Sequence, residues 1–143
     1  MSERLAQILL VEDNPGDVEL TLLAFEESDF NCNISVVRDG EQALEYVYKQ
    51  GEYVDESRPD VILLDINLPV KNGFEVLERI KSDAELRTIP VLMLTTSDTE
   101  KDIYKAYMNY ANAYLNKPVD FHEFADLVRQ INEFWFTTVK LLK

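Results

Sequence analysis

The sequence is poor in the residues that carry disulfide, thiolate or histidine chemistry. It contains one cysteine, Cys32, and one histidine, His122, among 143 residues. A single cysteine cannot form a disulfide within the chain and suits a reducing compartment. No predicted acid or base lies beside His122 to prepare it for catalysis, so we expect a surface histidine.

No apolar run is long enough to cross a bilayer, and the N-terminus lacks a signal-peptide pattern, so we expect a cytoplasmic protein without a membrane partner.

Basic residues are also scarce. Lysine and arginine number 14 against 27 aspartates and glutamates, which gives a net charge of −13. Phosphate backbones are bound by basic patches, and none is visible here, so we expect no direct nucleic-acid partner. The chain shows no repeats, low-complexity tract or linker. Its length therefore predicts a single domain over residues 1–143.

What the sequence does contain is a regular alternation of short apolar runs with helical periods. The runs predict five strands, at residues 8–11, 34–37, 61–64, 91–94 and 113–115. Strands that alternate with helices are typical of a doubly wound parallel sheet with helices on both faces. In such α/β sheets, ligands bind beyond the carboxyl ends of the strands, near a switch in strand order.

The last predicted helix is longer than the sheet needs. It begins near Asp120, and its apolar stripe continues from Phe121 to Leu142. About 22 residues at 1.5 Å each span about 33 Å, so we expect Trp135 and later residues to overhang the sheet. Two interpretations stay open. The apolar end folds back over the edge of its own domain, or it is a partner surface, such as a homodimer contact around Trp135.

Chemically active side chains follow four of the five predicted strands. Glu12 and Asp13 come after the first strand, Asp65 after the third, Thr95 after the fourth and Lys117 after the fifth. If the strand order is 2-1-3-4-5, these four strands are neighbours. The five side chains then converge on one cleft.

Carboxylates gathered in this way need a cation. Two of them about 4 Å apart repel by about 1 to 4 kcal/mol, depending on the effective dielectric. Mg²⁺ suits the site because it takes one or two carboxylates and keeps several waters. We expect Asp13 and Asp65 as direct ligands, with the backbone carbonyl of Asn67 as another and Glu12 acting through water.

A carboxylate beside Mg²⁺, with a lysine and a threonine nearby, is equipped to accept a phosphoryl group. Asp65 is the predicted nucleophile. The metal and Lys117 neutralise charge on the transferring oxygens, and the Thr95 hydroxyl donates to a phosphate oxygen once the adduct forms.

These residues, together with the segments around them, resemble the receiver domain of two-component response regulators. The matching stretches are residues 8–14, 59–69, 72–73, 90–95 and 114–118. The resemblance implies a flavodoxin-like fold with a five-stranded sheet in the order 2-1-3-4-5. It also implies Mg²⁺-dependent phosphoryl transfer from a histidine kinase to Asp65. Glu12 and Asp13 would form the acidic metal pocket, Thr95 would be the switch hydroxyl, and Lys117 would contact the phosphate. Tyr114 stands at the aromatic switch position.

Within that family, the chain is similar to the single-domain regulators paired with cyanobacterial phytochromes. Residues 14–17, the long connection at 51–59 and residues 133–135 carry this likeness. It implies a phytochrome-like sensor kinase as phosphodonor. One departure is Tyr110, which stands where many receivers have the glycine that ends the fourth helix. Because tyrosine is disfavoured at positive φ, we expect the helix to end differently.

Two rival functions need consideration. An aspartate-nucleophile phosphohydrolase of the haloacid dehalogenase type needs a second aspartate two residues after the nucleophile, where this chain has Asn67. A flavin-binding electron carrier needs an uncharged phosphate loop after the first strand, where Glu12 and Asp13 would repel the phosphate. We therefore expect a stand-alone signalling protein that carries out only self-phosphorylation and slow autodephosphorylation.

Overall fold

The computed structural model describes residues 5–28 and 30–142. Over these residues strands and helices alternate along the chain. The strands are β1 (Ala6–Val11), β2 (Cys32–Val37), β3 (Val61–Leu64), β4 (Val91–Thr95) and β5 (Ala113–Asn116). The α-helices are α1 (Pro15–Glu27), α2 (Gly40–Val47), α3 (Gly73–Ser82), α4 (Glu100–Met108) and α5 (Phe121–Glu133). A 3₁₀ turn, Gly51–Tyr53, lies in the long connection before β3, and a π-helical segment, Phe134–Thr138, follows α5.

The strands form one parallel sheet in the order β2-β1-β3-β4-β5, which confirms the predicted doubly wound architecture. The central strand β3 is buried on both faces, as its continuous apolar sequence predicts. Ile62 and Leu64 pack in a core shared with α2 and α3, whereas Val61 and Leu63 pack in a second core shared with α1 and α5. The strand order reverses between β1 and β3, so these two strands lie side by side at the switch point.

Each helix begins with a polar cap that fixes where the chain turns after a strand. At each N-terminus a side-chain oxygen accepts a hydrogen bond from the backbone N–H three residues later, which satisfies a donor that the helix cannot. The capping residues are Asn14, Asp39, Asn72, Thr99 and Asp120.

The C-terminal helix is present, but its regular part is shorter than predicted. The α-helix ends at Glu133, after 13 residues, rather than continuing for about 22. Over Phe134–Thr138 it widens into a π-helical turn, in which the Val139 N–H donates to the carbonyl of Phe134 at 2.7 Å. The backbone is extended at Val139. The wider turn changes the rotation per residue and so ends the regular apolar stripe.

Three of the apolar side chains after α5 fold back onto the domain. Trp135, Phe136 and Leu141 pack against the core shared by α1 and α5. The ring of Phe136 lies 5.3 Å from that of Phe30, which precedes β2. Phe134, in contrast, remains 53% exposed. The first of the two open interpretations therefore holds for three of these side chains, and Phe134 is left at the surface.

The end of α4 also differs from the prediction, because the helix ends in the way that is common when a glycine is present. Tyr110 adopts φ = +68°, the left-handed conformation that glycine favours, so the helix ends in the ordinary way without the glycine. The N–H of Tyr110 donates to the carbonyl of Tyr107, and that of Ala111 to the carbonyl of Ala106. This pair of bonds is a Schellman motif, which satisfies the last carbonyls of the helix. The motif outweighs the cost of placing a tyrosine at positive φ.

Among the described residues, no helix combines the length and the apolar composition needed to cross a membrane.

Replacing Tyr110 with glycine should stabilise the protein. The side chain is 74% exposed and so loses little packing, while the left-handed conformation costs an L-residue about 1 kcal/mol. We expect Tyr110→Gly to raise the free energy of unfolding by about that amount in urea titrations followed by circular dichroism. The matched control is Tyr107→Gly, inside α4, which should lower it by about 1 kcal/mol. A loss of stability in both variants would show that Tyr110 is not strained.

Candidate functional site

The site lies at the carboxyl edge of the sheet, where β1, β3, β4 and β5 end side by side. The last residues of β1 and β3, Val11 and Leu64, are paired, and the N–H of Asp65 donates to the carbonyl of Val11 at 3.1 Å. On the other side, the N–H of Lys117 donates to the carbonyl of Thr95 at 2.8 Å. The sheet register therefore brings the predicted residues to one edge.

The centre of the site is the ammonium group of Lys117. Its Nζ forms ion pairs with Glu12 Oε1, with Asp17 Oδ2 at 3.0 Å and with Asp65 Oδ2 at 3.2 Å. The side chains of Lys117, Glu12 and Asp65 are 5%, 4% and 9% exposed, so water screens these contacts only weakly. A lysine ammonium has three donors, and each faces one carboxylate here.

The surroundings raise the pKa of both Glu12 and Lys117. Burial raises the pKa of Glu12, and its hydrogen bond with Lys117 offsets only part of that effect. Burial acts to lower the pKa of Lys117, but Glu12, Asp65 and Asp17 outweigh it and raise that pKa to about 12. Three carboxylates thus share one firmly protonated cation, and negative charge remains in excess.

The structure adds a second source of positive charge to the one that the sequence predicts. The acids are expected to tolerate their crowding by holding a metal ion, and the ammonium of Lys117 also lies between Glu12 and Asp65. In the described part of the chain, no three histidine, cysteine, aspartate or glutamate side chains are grouped closely enough to hold a metal as they stand. Lys117 occupies the space between Glu12 and Asp65 because its three donors satisfy both carboxylates directly.

Asp13 and Asn67, two of the predicted metal ligands, are at the solvent side of this cluster. Both are exposed, and the side chain of neither forms a hydrogen bond or ion pair with the described residues. The donors available are carboxylate and carbonyl oxygens, which are the ligands that hard divalent cations prefer. Together with the excess of negative charge around Lys117, this donor set fits a divalent ion that enters from the Asp13 side.

Asp65 is fixed by close backbone packing. Its Oδ1 accepts from the N–H of Ile66 at 2.8 Å, and the N–H of Gly73 donates to the carbonyl of Ile66 at the same distance. A Cβ on Gly73 would lie 2.1 Å from the backbone oxygen of Asp65, so only glycine allows α3 to begin here. The start of α3 therefore holds the Asp65 backbone in place. The loop between them contains Val70 at φ = +67°, an unusual conformation for a β-branched residue.

The predicted switch residues, Thr95 and Tyr114, meet at the loop between β4 and α4. The carbonyl of Ser97 accepts from the Tyr114 hydroxyl at 2.9 Å and from Asn116 Nδ2 at 3.0 Å. The N–H of Ser97 reaches the hydroxyl of Thr95 at 3.4 Å, a weak contact. Thr95 itself is fully buried and forms no side-chain hydrogen bond with Lys117 or Asp65 among the described residues. Tyr114 is therefore connected to Thr95 through Ser97.

Two residues of the site were missed in the sequence. Asp17 was overlooked because only strand ends were searched, and an acid in the first turn of a helix is commonly explained by the helix dipole. The signal that would have identified it is its position: α1 begins directly after β1, so its first turn lies at the same edge of the sheet. Ser97 carried no signal, because its backbone carbonyl makes the contacts.

The profile of the response regulator receiver domain matches residues 8–129. The response regulator Rcp1 of Synechocystis sp. (strain PCC 6803) is 41% identical over 134 residues, which cover 94% of this chain and 91% of Rcp1.

The chain is also similar to solved structures of response regulators. The structure of the phosphorylated cyanobacterial phytochrome response regulator RcpA is similar with a TM-score of 0.93 and 43% identity, covering 98% of this chain and 100% of RcpA. The Mn²⁺-bound form of Rcp1 is similar with a TM-score of 0.90 and 40% identity, covering 96% of this chain and 99% of that one.

Removing the central cation should destabilise the fold unless a metal replaces it. Lys117→Met leaves Glu12 and Asp65 buried without a counter-charge. This costs about 3 kcal/mol, towards the lower end for a broken buried ion pair because Glu12 can take up a proton. We expect this loss in urea unfolding with a chelator present. Added Mg²⁺ should stabilise the variant more than it stabilises the wild type.

The control for this substitution is Lys101→Met, since Lys101 is exposed on α4 and forms no ion pair with the described residues. It should unfold like the wild type. An unchanged stability of Lys117→Met in the absence of metal would contradict the role of Lys117 as the internal cation.

Proposed function

Because this chain belongs to the family of response regulator receiver domains, we propose that Asp65 accepts a phosphoryl group from a histidine kinase in the presence of Mg²⁺. The observation that carries the proposal is the ion pair of Lys117 with Asp65 at the carboxyl edge of β3. It supplies a cation beside a nucleophilic carboxylate in a buried setting.

The chain is a two-component response regulator with a signalling role. Its similarity to Rcp1 and RcpA over nearly the whole chain does not favour the two rival functions, a phosphohydrolase or a flavin-binding carrier. Family membership implies a histidine kinase as partner and a divalent metal at the site. The identity of that metal as Mg²⁺ and the role of each residue are part of the proposal.

The proposed reaction begins with attack by an Asp65 carboxylate oxygen on the phosphorus of a phosphohistidine. The new O–P bond forms as the N–P bond breaks, and the imidazole leaves with the bonding electron pair. Glu12, Asp13, Asp65 and the carbonyl of Asn67 would hold the divalent ion, with Glu12 acting through water. When bound, the ion neutralises charge on the transferring oxygens.

The chain's own cation and hydroxyl complete the site. Lys117 Nζ lies 3.2 Å from Asp65 Oδ2 and would move from that carboxylate to an oxygen of the phosphoryl group that Asp65 carries. The Thr95 hydroxyl, at the end of β4, would donate to another phosphoryl oxygen. Movement of Thr95 would reach Tyr114 through Ser97, which both residues contact. We propose this connection as the switch that reports phosphorylation to the surface.

The proposal includes a phytochrome-like histidine kinase as phosphodonor. RcpA is named as a cyanobacterial phytochrome response regulator, and its 43% identity to this chain supports a donor of that kind. We further propose that the chain acts alone as a cytoplasmic receiver, without nucleic-acid or membrane contacts and with no activity beyond self-phosphorylation and slow autodephosphorylation. The net charge of −13 and the single cysteine support this part.

We also propose a homodimer through the end of the last helix, around Trp135. Trp135 packs partly against the core of its own domain. The side chain available for contact is therefore Phe134, which is 53% exposed. Its ring meets the Trp135 ring edge to face. The exposed Phe134 ring lies next to the half-buried Trp135, and contiguous apolar surface of this kind marks interaction sites. A second copy of the chain would cover it.

The phosphorylation proposal predicts a modification that depends on one residue and on metal. Incubation with acetyl phosphate and Mg²⁺ should increase the intact mass of the wild type by one phosphoryl group, whereas Asp65→Asn should remain unmodified. Removing Mg²⁺ with a chelator should abolish the modification. The matched control is Asp60→Asn, which should be modified like the wild type. Asp60 lies at the opposite end of β3 from Asp65. Modification of Asp65→Asn, or modification without metal, would contradict the assignment.

The dimer proposal predicts a change in hydrodynamic mass. Phe134→Glu should convert a dimeric wild type to a monomer in analytical ultracentrifugation, because a charge in the apolar contact cannot be desolvated without cost. Val54→Glu serves as control, since Val54 is 60% exposed in the connection before β3, away from the contact. A wild type that is monomeric both before and after phosphorylation would rule the dimer out.

A further inference from the structure

Asp17 is the one carboxylate around Lys117 that does not come from a strand end. It belongs to the first turn of α1, and its Oδ2 lies 3.0 Å from Lys117 Nζ, slightly closer than the Asp65 oxygen at 3.2 Å. The other two partners, Glu12 and Asp65, have proposed roles with the metal and the phosphoryl group. Asp17 has no such role, so its contact with Lys117 needs a separate explanation.

The backbone of Asp17 is held in place on both sides. Its N–H donates to Asn14 Oδ1 at 3.0 Å, and its carbonyl accepts from the Thr21 hydroxyl at 2.7 Å. Thr21 is buried, and Pro15 fixes the first position of the helix. The carboxylate also lies at the positive end of the helix dipole, which attracts negative charge. Asp17 is therefore a fixed, charged partner for Lys117, although one third of its side chain is exposed.

The partners of Lys117 must change when the site is used. In the resting structure its three donors face three carboxylates. Once Glu12 and Asp65 turn to a divalent ion and Asp65 carries a phosphoryl group, two of these contacts are given up. The contact with Asp17 does not compete with either event, because Asp17 lies on α1, outside the set of strand-end acids.

We propose that Asp17 is a positioning residue: it holds the Lys117 ammonium over Asp65 while Glu12 and Asp65 are engaged elsewhere. With one donor on Asp17, the ammonium has two donors left for phosphoryl oxygens. Without Asp17, the long lysine side chain loses its only fixed counter-charge in the loaded site and leaves the position from which it contacts the phosphoryl group. This inference rests on the proposed phosphorylation of Asp65.

The first test is kinetic and uses the full chain with acetyl phosphate at saturating Mg²⁺. Asp17→Asn should slow phosphorylation about tenfold, as the loss of a group that orients a site residue commonly does. Glu19→Gln is the matched control, because it removes the same charge from the exposed side of α1 and should leave the rate unchanged. Combining Asp17→Asn with Lys117→Met should slow the reaction no further than Lys117→Met alone, since Asp17 acts through Lys117.

The second test observes the lysine directly and does not require activity. In ¹⁵N-lysine-labelled wild type, the held ammonium of Lys117 should give a slowly exchanging Nζ resonance that persists when Mg²⁺ is added. In Asp17→Asn, it should be lost on addition of Mg²⁺, and in Glu19→Gln it should persist. Lys117→Met identifies the resonance.

The outcomes separate this inference from the proposed function. An Asp17→Asn variant that reacts as fast as Glu19→Gln, or keeps the Lys117 resonance with Mg²⁺ present, would overturn the inference. An equal slowing by Asp17→Asn in the Lys117→Met background would also overturn it. Modification of Asp65→Asn would instead refute the proposed function, whatever the behaviour of Asp17.

Discussion

The site depends on the ion pairs that the ammonium group of Lys117 forms with three carboxylates. Three carboxylates converge at the carboxyl edge of a sheet that is otherwise apolar, and they can do so because one cation with three donors lies between them. The cation follows the end of β5, and the acids follow the ends of β1 and β3 or lie on α1. The ion pairs therefore tie the two halves of the sheet together across β4.

Much of the fold followed from the sequence because its signals were redundant. The apolar runs, the caps and the alternation with helices all indicate the same parallel sheet, and the observed order β2-β1-β3-β4-β5 agrees with it. The approach of Glu12, Asp65 and Lys117 was predictable for the same reason, since strand ends meet at one edge. What the sequence could not show was that Lys117 pairs with the acids directly. A metal and a lysine satisfy the same acids, and only the geometry shows that Lys117 reaches both.

The failures of prediction have local causes. A helical period cannot reveal where a π-helical turn ends the regular helix, so the stripe through Trp135 was extended too far. The preference for glycine at positive φ is weaker than the stabilisation from two backbone hydrogen bonds. Tyr110 therefore adopts positive φ and completes the Schellman motif. Asp17 was missed because its role depends on a partner 100 positions away. In each case the deciding contact is absent from the pattern of the segment itself.

The close approach of Gly73 to Asp65 has a mechanical consequence. No side chain separates the first turn of α3 from the backbone of Asp65, and a single added carbon would meet the carbonyl oxygen at 2.1 Å. Where side chains lie between two elements, they can change rotamer and absorb small displacements. Here no such compliant layer exists, so any shift of the Asp65 backbone has to be transmitted to α3 as a rigid displacement.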